Sequence, residues 1–257
     1  MKAYGLSHIG MKRAVNQDAF VIKDYAPGAL LAVVCDGMGG TMGGKEAAEI
    51  ASRTFVAEFD KHLSPILSRK RMPKANDVGK ALQKGVSAAN AAVLTYAEHH
   101  PDLRGMGTTL LALFVCGREL YYANVGDSRL YLSTGKSLRR MTKDHSYIQY
   151  LIDTQQITER EAAKTKGRNL ITRAVGTERS VQADLYRHVL PEGGEATALL
   201  CSDGLYNMVP EKNILRILNG STLIRSESLE SRAKRLIETA NKNGGTDNIT
   251  AVLVKLA

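Results

Sequence analysis

The 257-residue sequence contains no tryptophan, six prolines and only three cysteines. Cys35, Cys116 and Cys201 each lie within an apolar run, and an odd number of cysteines does not form a fully paired disulfide framework. The N-terminus MKAYGLSHIG lacks the apolar stretch and cleavage site of a secretory signal. The longest apolar runs, ALLAVVC and LLALFVC, are far shorter than the roughly 20 residues that cross a bilayer. We therefore expect a cytoplasmic protein without a membrane span.

Several familiar catalytic and binding motifs are also missing. The histidines form no H-E-x-x-H pair, the cysteines form no C-x-x-C pair, and the G-x-S-x-G of serine hydrolases is absent. The glycine-rich stretch DGMGGTMGG fails the dinucleotide fingerprint, because Met42 stands where the last glycine is required. It also fails the P-loop pattern, because Glu46 replaces the serine or threonine that binds magnesium.

A net charge of +9 suits acidic partners such as nucleic acid, anionic membranes or phosphorylated proteins. The basic residues form one short cluster, SRKRMPK at residues 68–74, and are otherwise scattered. No helix-turn-helix pattern or aromatic-rich strand pair accompanies them. The cluster is typical of a solvated loop, and we predict that the protein does not bind nucleic acid.

Hydrophobic patterning predicts a single domain over residues 1–257, because no linker, repeat or low-complexity tract divides the chain. The predicted strands lie near 3–9, 18–23, 29–35, 183–189, 196–202 and 249–256, with a β-meander over about 108–142. The predicted helices lie near 43–62, 76–98, 210–218 and 227–242. Residues 144–170 are polar and poor in core residues, which indicates an excursion from the body of the domain. Short connections between most strands favour an α+β fold of antiparallel sheets with helices outside.

Five aspartates stand at the ends of strand-like runs, several with glycine alongside: Asp18, Asp36, Asp127, Asp203 and Asp247. Any one of them could simply start a turn. Strand ends in a sheet meet at a shared edge, however, and carboxylates gathered there repel one another unless a cation joins them. Carboxylates, backbone carbonyls freed by glycine, and water are the ligands that Mg²⁺ and Mn²⁺ prefer. Taken together, the five aspartates predict a divalent-metal site.

Eight motifs then occur in an order that is typical of one family: RAVNQD, VVCDGMGGTMGG, GMGTTL, NVGDSRLYL, MTKDHS, ITRAVG, LLCSDGLYNMV and GGTDNITAVLV. Together they resemble the PPM, or protein phosphatase 2C, family of metal-dependent serine/threonine phosphatases in its compact bacterial form. The resemblance covers essentially the whole chain. It implies a four-layer α-β-β-α sandwich of two antiparallel sheets flanked by helices, with residues 144–170 forming a mobile flap beside the active site.

The resemblance also implies roles for individual residues. Asp36 matches the carboxylate that bridges two Mn²⁺ or Mg²⁺ ions, and the Gly37 carbonyl matches a ligand of one of them. Asp203 and Asp247 match the remaining ligands of the first ion, Asp18 an acid at or just behind the metal shell, and Asp127 a residue that helps to hold a third, weaker ion. Arg13 matches the arginine that grips the substrate phosphate, for which its planar fork is suited. Asn248 is expected to orient Asp247.

This ligand set implies hydrolysis of phosphoserine and phosphothreonine by a metal-activated water, without a covalent phosphoenzyme. We expect a monomer whose partners are phosphorylated proteins, a cognate serine/threonine kinase and its targets, with the phosphatase opposing that bacterial kinase. The alternative of a pseudophosphatase, which binds phosphoproteins without turnover, usually involves loss of a metal-binding aspartate. No such aspartate is lost here.

Three positions depart from the family pattern. Met38 stands where eukaryotic members have a histidine proposed as the general acid, and Thr41 stands where some bacterial relatives have a histidine. The source of the leaving-group proton therefore stays open between a metal-bound water and another group. Gln17 replaces a glutamate of eukaryotic members, which predicts a more water-rich shell around the second ion.

Overall fold

Two antiparallel β-sheets form the centre of the protein. The computed structural model describes residues 1–25, 28–68, 71–135, 137–162, 165, 167, 170–193, 195–220 and 227–256. The first sheet has the strand order β1 (Lys2–His8), β11 (Ile249–Leu256), β10 (Ala196–Cys201), β7 (Arg129–Ser133) and β8 (Leu138–Arg140). The second has the order β2 (Asp18–Asp24), β3 (Ala29–Met38), β5 (Leu110–Cys116), β6 (Glu119–Val125) and β9 (Asp184–Val189), with the short β4 (Gly107–Thr108) paired to β3.

Helices cover the outer face of each sheet. On the second sheet lie α1 (Gly40–Leu67) and α2 (Ala75–His99), which is followed by a 3-10 turn at Pro101–Leu103. On the first sheet lie α5 (Asp203–Tyr206), α6 (Glu211–Leu218) and α7 (Leu229–Lys242). The predicted four-layer α+β sandwich is therefore confirmed. No helix in the described ranges is both long enough and apolar enough to span a bilayer.

Strand β3 shows why the sequence has a continuous apolar run before Asp36. Leu31, Val33 and Cys35 face the core beneath α1 and α2, whereas the alternate residues Leu30, Ala32 and Val34 face the core between the two sheets. A strand that is buried on both faces needs no polar alternation. The run holds the end of β3 rigidly between two packed layers.

The helix predictions over 43–62 and 76–98 are confirmed, and both helices extend beyond the predicted limits. The four-residue spacing on α1 predicted one buried stripe, and the structure buries all of it: Ala47, Ala51, Phe55, Phe59 and Leu63. Gly85 of α2 lies against this stripe, where a Cβ would come within 2.8 Å of the Phe55 ring. The close approach of the two helices therefore requires a residue without a side chain at that position.

The predicted β-meander is wrong in its pairing. β5 and β6 form a hairpin around Gly117, which has the left-handed φ of 60° that such a turn requires. The next connection is not a hairpin, because β6 pairs with β5 and β9, whereas β7 pairs with β10 and β8 in the other sheet. The segment Gly126-Asp127-Ser128 therefore carries the chain from one sheet to the other. Turn residues predict a change of direction but not the partner of the next strand. Lys136, which falls within the predicted meander, lies outside the described residues.

The polar segment 144–170 contains two short helices, α3 (Tyr147–Asp153) and α4 (Glu159–Ala162). Part of this segment, residues 163, 164, 166, 168 and 169, lies outside the described residues. The base of the segment is closed by a β-bridge between Ser146 and Ile171. A second bridge, between Thr108 and Val175, joins the chain that follows to β4 beside the end of β3.

Candidate metal centre

A cavity of about 480 Å³ opens at one edge of the sandwich. It gathers six of the seven predicted metal and phosphate ligands, namely Arg13, Asp36, Gly37, Asp127, Asp203 and Asp247. The seventh, Asp18, is the direct cross-strand neighbour of Asp36. Residues that lie up to 234 positions apart in the sequence are thus brought to one place.

Both sheets contribute carboxylates to this edge. Asp36 ends the apolar part of β3, and Asp203 follows β10 after one residue, Ser202. Asp247 precedes β11, which pairs with β10 so that Cys201 lies opposite Ala251. The polar residues that follow β10 and those that precede β11 consequently meet at the cavity.

Close backbone approach explains the glycines beside two of these aspartates. A Cβ on Gly37 would overlap the carbonyl oxygen of Gly44 in the first turns of α1. A Cβ on Gly204 would overlap the carbonyl oxygen of Asn248. The second contact holds the Asp203 segment against the Asp247 segment, so glycine at 204 is needed to bring the two carboxylates together.

Asp18 lies behind Asp36 in a polar cluster. Its Oδ2 accepts hydrogen bonds from the hydroxyls of Ser202 at 2.8 Å and Thr250 at 2.6 Å. Its Oδ1 is buried and has no hydrogen-bond partner among the described residues. One oxygen is therefore tied to the protein, and the other is free to accept from water or to contact a cation.

The backbone of Asp36 is held by two neighbouring threonines. Thr109 Oγ1 accepts from the Asp36 N–H at 2.9 Å, while the Thr109 N–H and the Thr108 hydroxyl both donate to the Asp36 carbonyl oxygen at 2.9 Å. Thr109 Oγ1 also lies 2.8 Å from Ser128 Oγ, beside Asp127. The paired threonines of the GMGTTL motif were the only signal in the sequence that pointed to these contacts.

Desolvation and mutual repulsion dominate the electrostatics of the cavity. Desolvation, followed by repulsion from the neighbouring aspartates, raises the pKa of Asp36 and the pKa of Asp203 well above the usual value. Desolvation raises the pKa of Asp18 to about 6 and, with repulsion from Asp144, the pKa of Asp127 to about 6. The protein itself does not supply enough positive charge beside these carboxylates to offset their repulsion.

The donor set fits a hard divalent cation with an open coordination shell. Carboxylate oxygens converge on one cavity, and the buried Oδ1 atoms of Asp18 and Asp127 have no partner among the described residues. Among the described residues, no group of three or more His, Cys, Asp and Glu side chains has the spacing to hold an ion by itself. Water and a backbone carbonyl would have to complete the shell, and Mg²⁺ in particular keeps several waters in protein sites.

Arg13 lies at the mouth of the cavity. Its guanidinium is half-exposed and donates from Nη2 to Asp247 Oδ2 at 2.6 Å. This hydrogen bond raises the pKa of Arg13, so the group carries its charge at every physiological pH. A cation in this position can attract an anion that enters the cavity.

Asn248 has two separate contacts near the site. Its backbone N–H donates to Asp247 Oδ1 at 2.8 Å, as expected of a residue that orients that carboxylate. Its buried side chain serves the loop of Arg13 instead, donating to the carbonyls of Ile9 and Val15 and accepting from the N–H of Gln17 at 2.8–3.0 Å. The position following Asp247 pointed to Asn248, but nothing in the sequence indicated its side-chain contacts.

The three positions that depart from the family pattern lie near one another. Met38 lines the cavity and is half-buried. Gln17 also lines the cavity, and its Nε2 donates to the Gly40 carbonyl at 2.6 Å, which ties the loop of Arg13 to the start of α1. Thr41 belongs to the first turn of α1, and its side chain lies outside the described part of the structure.

Comparison with known proteins decides the family. The family model described as protein phosphatase 2C matches residues 4–254. The chain belongs to the protein phosphatase 2C family. It is therefore an enzyme, a protein phosphatase, and the order of motifs in its sequence is confirmed as the signature of that family.

Bacterial serine/threonine phosphatases are among the relatives of this phosphatase 2C chain. It is 38% identical over 240 residues to the serine/threonine phosphatase stp of Listeria welshimeri, covering 93% of this chain and 88% of the relative. It is 37% identical over 244 residues to the serine/threonine protein phosphatase PstP of Mycobacterium tuberculosis, covering 95% of this chain and 43% of that protein.

Solved structures of similar phosphatases share the fold. The serine/threonine phosphatase of S. agalactiae is 30% identical and superposes with a TM-score of 0.84, over 100% of this chain and 99% of the other. The catalytic domain of PstP, solved in complex with two manganese ions, is 32% identical with a TM-score of 0.81, over 100% and 98% of the two chains.

Proposed function

We propose that this phosphatase 2C enzyme hydrolyses phosphoserine and phosphothreonine in proteins at a centre of two Mn²⁺ or Mg²⁺ ions. The observation that carries the proposal is the gathering of Asp36, Asp203 and Asp247 in one cavity with Arg13 at its mouth. The names of the stp and PstP relatives support the substrate class. The two manganese ions in the PstP complex support the cofactor.

Each acidic residue has a proposed part in holding the ions. Asp36 would be the shared ligand, because it lines the cavity with Asp203 and Asp247 and lies directly opposite Asp18 on the neighbouring strand. Asp203 and Asp247 bind the first ion, and the Gly37 carbonyl binds one of the pair. Asp18 supports the shell from behind Asp36. Asp127 takes part in a third, weaker site.

Ions held by these residues would lower the pKa of a coordinated water toward neutrality, the chemistry needed for attack on phosphorus. Arg13 binds the non-bridging phosphate oxygens and stabilises the charge that they carry in the transition state. Its hydrogen bond to Asp247 limits its rotation and directs the guanidinium over the cavity. Asp36, Asp203 and Asp247 lie on or beside β3, β10 and β11, so the sheets hold these carboxylates in place before substrate binds.

The proposal extends to the setting of the enzyme. Residues 1–257 form one phosphatase domain with residues 144–170 as a flap, and the enzyme acts as a monomer in the cytoplasm, opposing a serine/threonine kinase. The cytoplasmic assignment is supported by Cys35, Cys116 and Cys201, all of which are free and buried.

Phosphate release from a phosphothreonine peptide tests the function directly. The rate is measured with Mn²⁺, with Mg²⁺ and with excess chelator. Each ion is supplied at ~1 mM, a typical saturating level for a weak site. We expect turnover with either ion, and the chelator should abolish it. Equal and negligible rates in all three conditions would overturn the proposal. Equal, measurable rates with and without chelator would show that the protein is a phosphatase but does not use a metal.

A further inference from the structure

One side chain outside the predicted site determines the environment of Asp127. Asp127 is 4% exposed, and the Tyr206 hydroxyl lies 3.1 Å from its carbonyl oxygen and 3.3 Å from its Oδ2. The other carboxylate oxygen, Oδ1, is buried and has no partner among the described residues. The contact with Tyr206 therefore selects which oxygen of Asp127 remains free.

The helical turn α5 places Tyr206 beside Asp127. Asp203 begins this turn and Tyr206 ends it, and residues three apart in a helix lie on the same face. The next residue, Asn207, donates from Nδ2 to Asp203 Oδ2 at 3.2 Å. A single turn of helix thus contacts two of the acidic residues, one from the loop after β10 and one from the connection between the sheets.

Tyr206 is itself held from its other side. The guanidinium of Arg129 stacks 3.6 Å above the Tyr206 ring. Arg129 in turn donates to both carboxylate oxygens of Asp144, from Nε at 3.1 Å and from Nη2 at 2.7 Å. The Asp144 side chain is 7% exposed, so this ion pair is shielded from solvent. One face of the Tyr206 ring is consequently held by a guanidinium that is itself fixed by an ion pair.

The arrangement maintains Tyr206 as a hydrogen-bond donor. A phenolic hydroxyl carries its proton over the physiological range, so Tyr206 can donate to Asp127. The positive charge of Arg129 also offsets part of the repulsion between Asp144 and Asp127.

We propose that Tyr206 is a positioning residue that holds the Asp127 carboxylate with Oδ1 free for a divalent cation, and that Arg129 and Asp144 hold Tyr206 in place. The inference deepens the proposed function and rests on it, because it concerns the weakest of the proposed metal sites. Partners that orient a ligand in this way commonly change metal affinity by about 10- to 100-fold.

Binding of Mn²⁺ to the full chain tests the proposal without reliance on turnover. Free Mn²⁺ is quantified by electron paramagnetic resonance for wild type, Tyr206→Phe, Asp127→Asn and the double variant. We expect Tyr206→Phe to weaken the weakest ion by about 10-fold or more and to leave tighter ions within about twofold. The double variant should bind no more weakly than Asp127→Asn alone, since Tyr206 acts through Asp127.

Tyr186→Phe is the matched control. The Tyr186 hydroxyl also donates to an aspartate, Asp184 Oδ2 at 3.1 Å, but neither residue lines the cavity. Its Mn²⁺ binding should equal that of wild type. Thermal unfolding of each variant verifies that the chain is folded. If Tyr206→Phe does not fold, Arg129→Lys decides, because it keeps the charge beside Asp144 but loses the flat stack on the ring, and the same ion should be weakened.

Three outcomes would overturn the positioning role. Unchanged Mn²⁺ affinity in Tyr206→Phe would show that the hydroxyl does not matter, and equal weakening of all ions would indicate a general disturbance. A further loss in the double variant beyond Asp127→Asn would show that Tyr206 acts on another group. If wild type itself binds no Mn²⁺, the proposed function fails together with this inference, whereas the other three outcomes leave that function standing.

Discussion

Asp18 and Asp36 lie directly opposite each other on the antiparallel strands β2 and β3, at the floor of the candidate metal centre. Like charges in such a cross-strand pair destabilise a sheet, by up to about 1 kcal/mol. Here the repulsion is increased by desolvation, which contributes most to the raised pKa of each residue. The folded chain thus retains an unfavourable pair that a divalent cation would neutralise.

Replacement of Asp36, the proposed shared ligand, separates its contribution to catalysis from its effect on the stability of the fold. Asp36→Asn should lower phosphatase activity by about 10³-fold or more, because several kcal/mol of charge stabilisation depend on it. The same change removes the repulsion with Asp18. In excess chelator the unfolding midpoint should therefore rise by roughly 2–4 °C, equivalent to about 1 kcal/mol in a chain of this size. Calorimetry and the phosphopeptide assay measure the two effects.

Asp24→Asn is the matched control, since Asp24 lies on the same strand as Asp18 but is exposed. It should leave both the midpoint and the activity unchanged. Asp36→Asn with wild-type turnover would contradict the role of Asp36 as a ligand.

Arg13 should act on substrate rather than on stability. Arg13→Ala removes the phosphate contact, and kcat/KM for a phosphopeptide should fall by about 10²–10³-fold. Arg13→Lys should recover part of the loss, since it keeps the charge but not the fork that binds two oxygens. Its ion pair with Asp247 is half-exposed, so the free energy of unfolding should change by less than about 1 kcal/mol. Lys12→Ala, at the exposed neighbouring position, should match wild type. Unchanged kcat/KM in Arg13→Ala would exclude the phosphate contact.

Asn248 should affect both stability and substrate binding. Asn248→Ala leaves the carbonyls of Ile9 and Val15 and the N–H of Gln17 without their side-chain partner. Loss of these bonds should lower the free energy of unfolding by roughly 2–4 kcal/mol. KM should rise because the loop that carries Arg13 is no longer held. Asn243→Ala removes a single exposed bond to the Met208 carbonyl and should cost less than about 1.5 kcal/mol. Denaturant unfolding that shows equal losses for the two variants would argue against this assignment.

His145 should make stability depend on pH in one direction. Its Nδ1 accepts from the Gly126 N–H at 3.0 Å, so the folded protein binds the neutral ring. Burial, followed by the charge of Arg173, lowers the pKa of His145 despite the opposing effects of Asp184 and Asp144. Below about pH 6.5 the unfolded chain takes up a proton that the folded chain does not, so stability decreases as the pH falls.

Comparison of wild type with His145→Gln isolates this effect. Glutamine can still accept a hydrogen bond but does not titrate, and the other acids and bases are common to both chains. Between about pH 6.5 and 5, wild type should lose up to about 1.4 kcal/mol per pH unit more than the variant. Denaturant unfolding at several pH values measures the difference. Parallel pH profiles of wild type and His145→Gln would contradict a neutral, buried His145. The control is His99→Gln, at an exposed helix end, which should show the same pH dependence as wild type.

Local patterning was sufficient for most of the elements and for the choice of candidate ligands. The stripe on α1 and the apolar run of β3 could be read directly, because each is buried by the period of its own secondary structure. Asp36 and Asp203 could be found because each interrupts such a run beside a glycine. The crossing at Asp127 could not be predicted, because turn residues carry no information about which sheet receives the next strand.

By itself, the sequence determined the family, the α+β class and the identity of the acidic residues, since these depend on short motifs and on the spacing of apolar side chains. Only the tertiary structure decided how those residues meet. The contact of Gly204 with Asn248, the threonine contacts to Asp36 and the hydroxyl of Tyr206 on Asp127 all join segments that are distant in the chain. Such contacts arise from the pairing of strands that are distant in the sequence. No local preference of either partner encodes them.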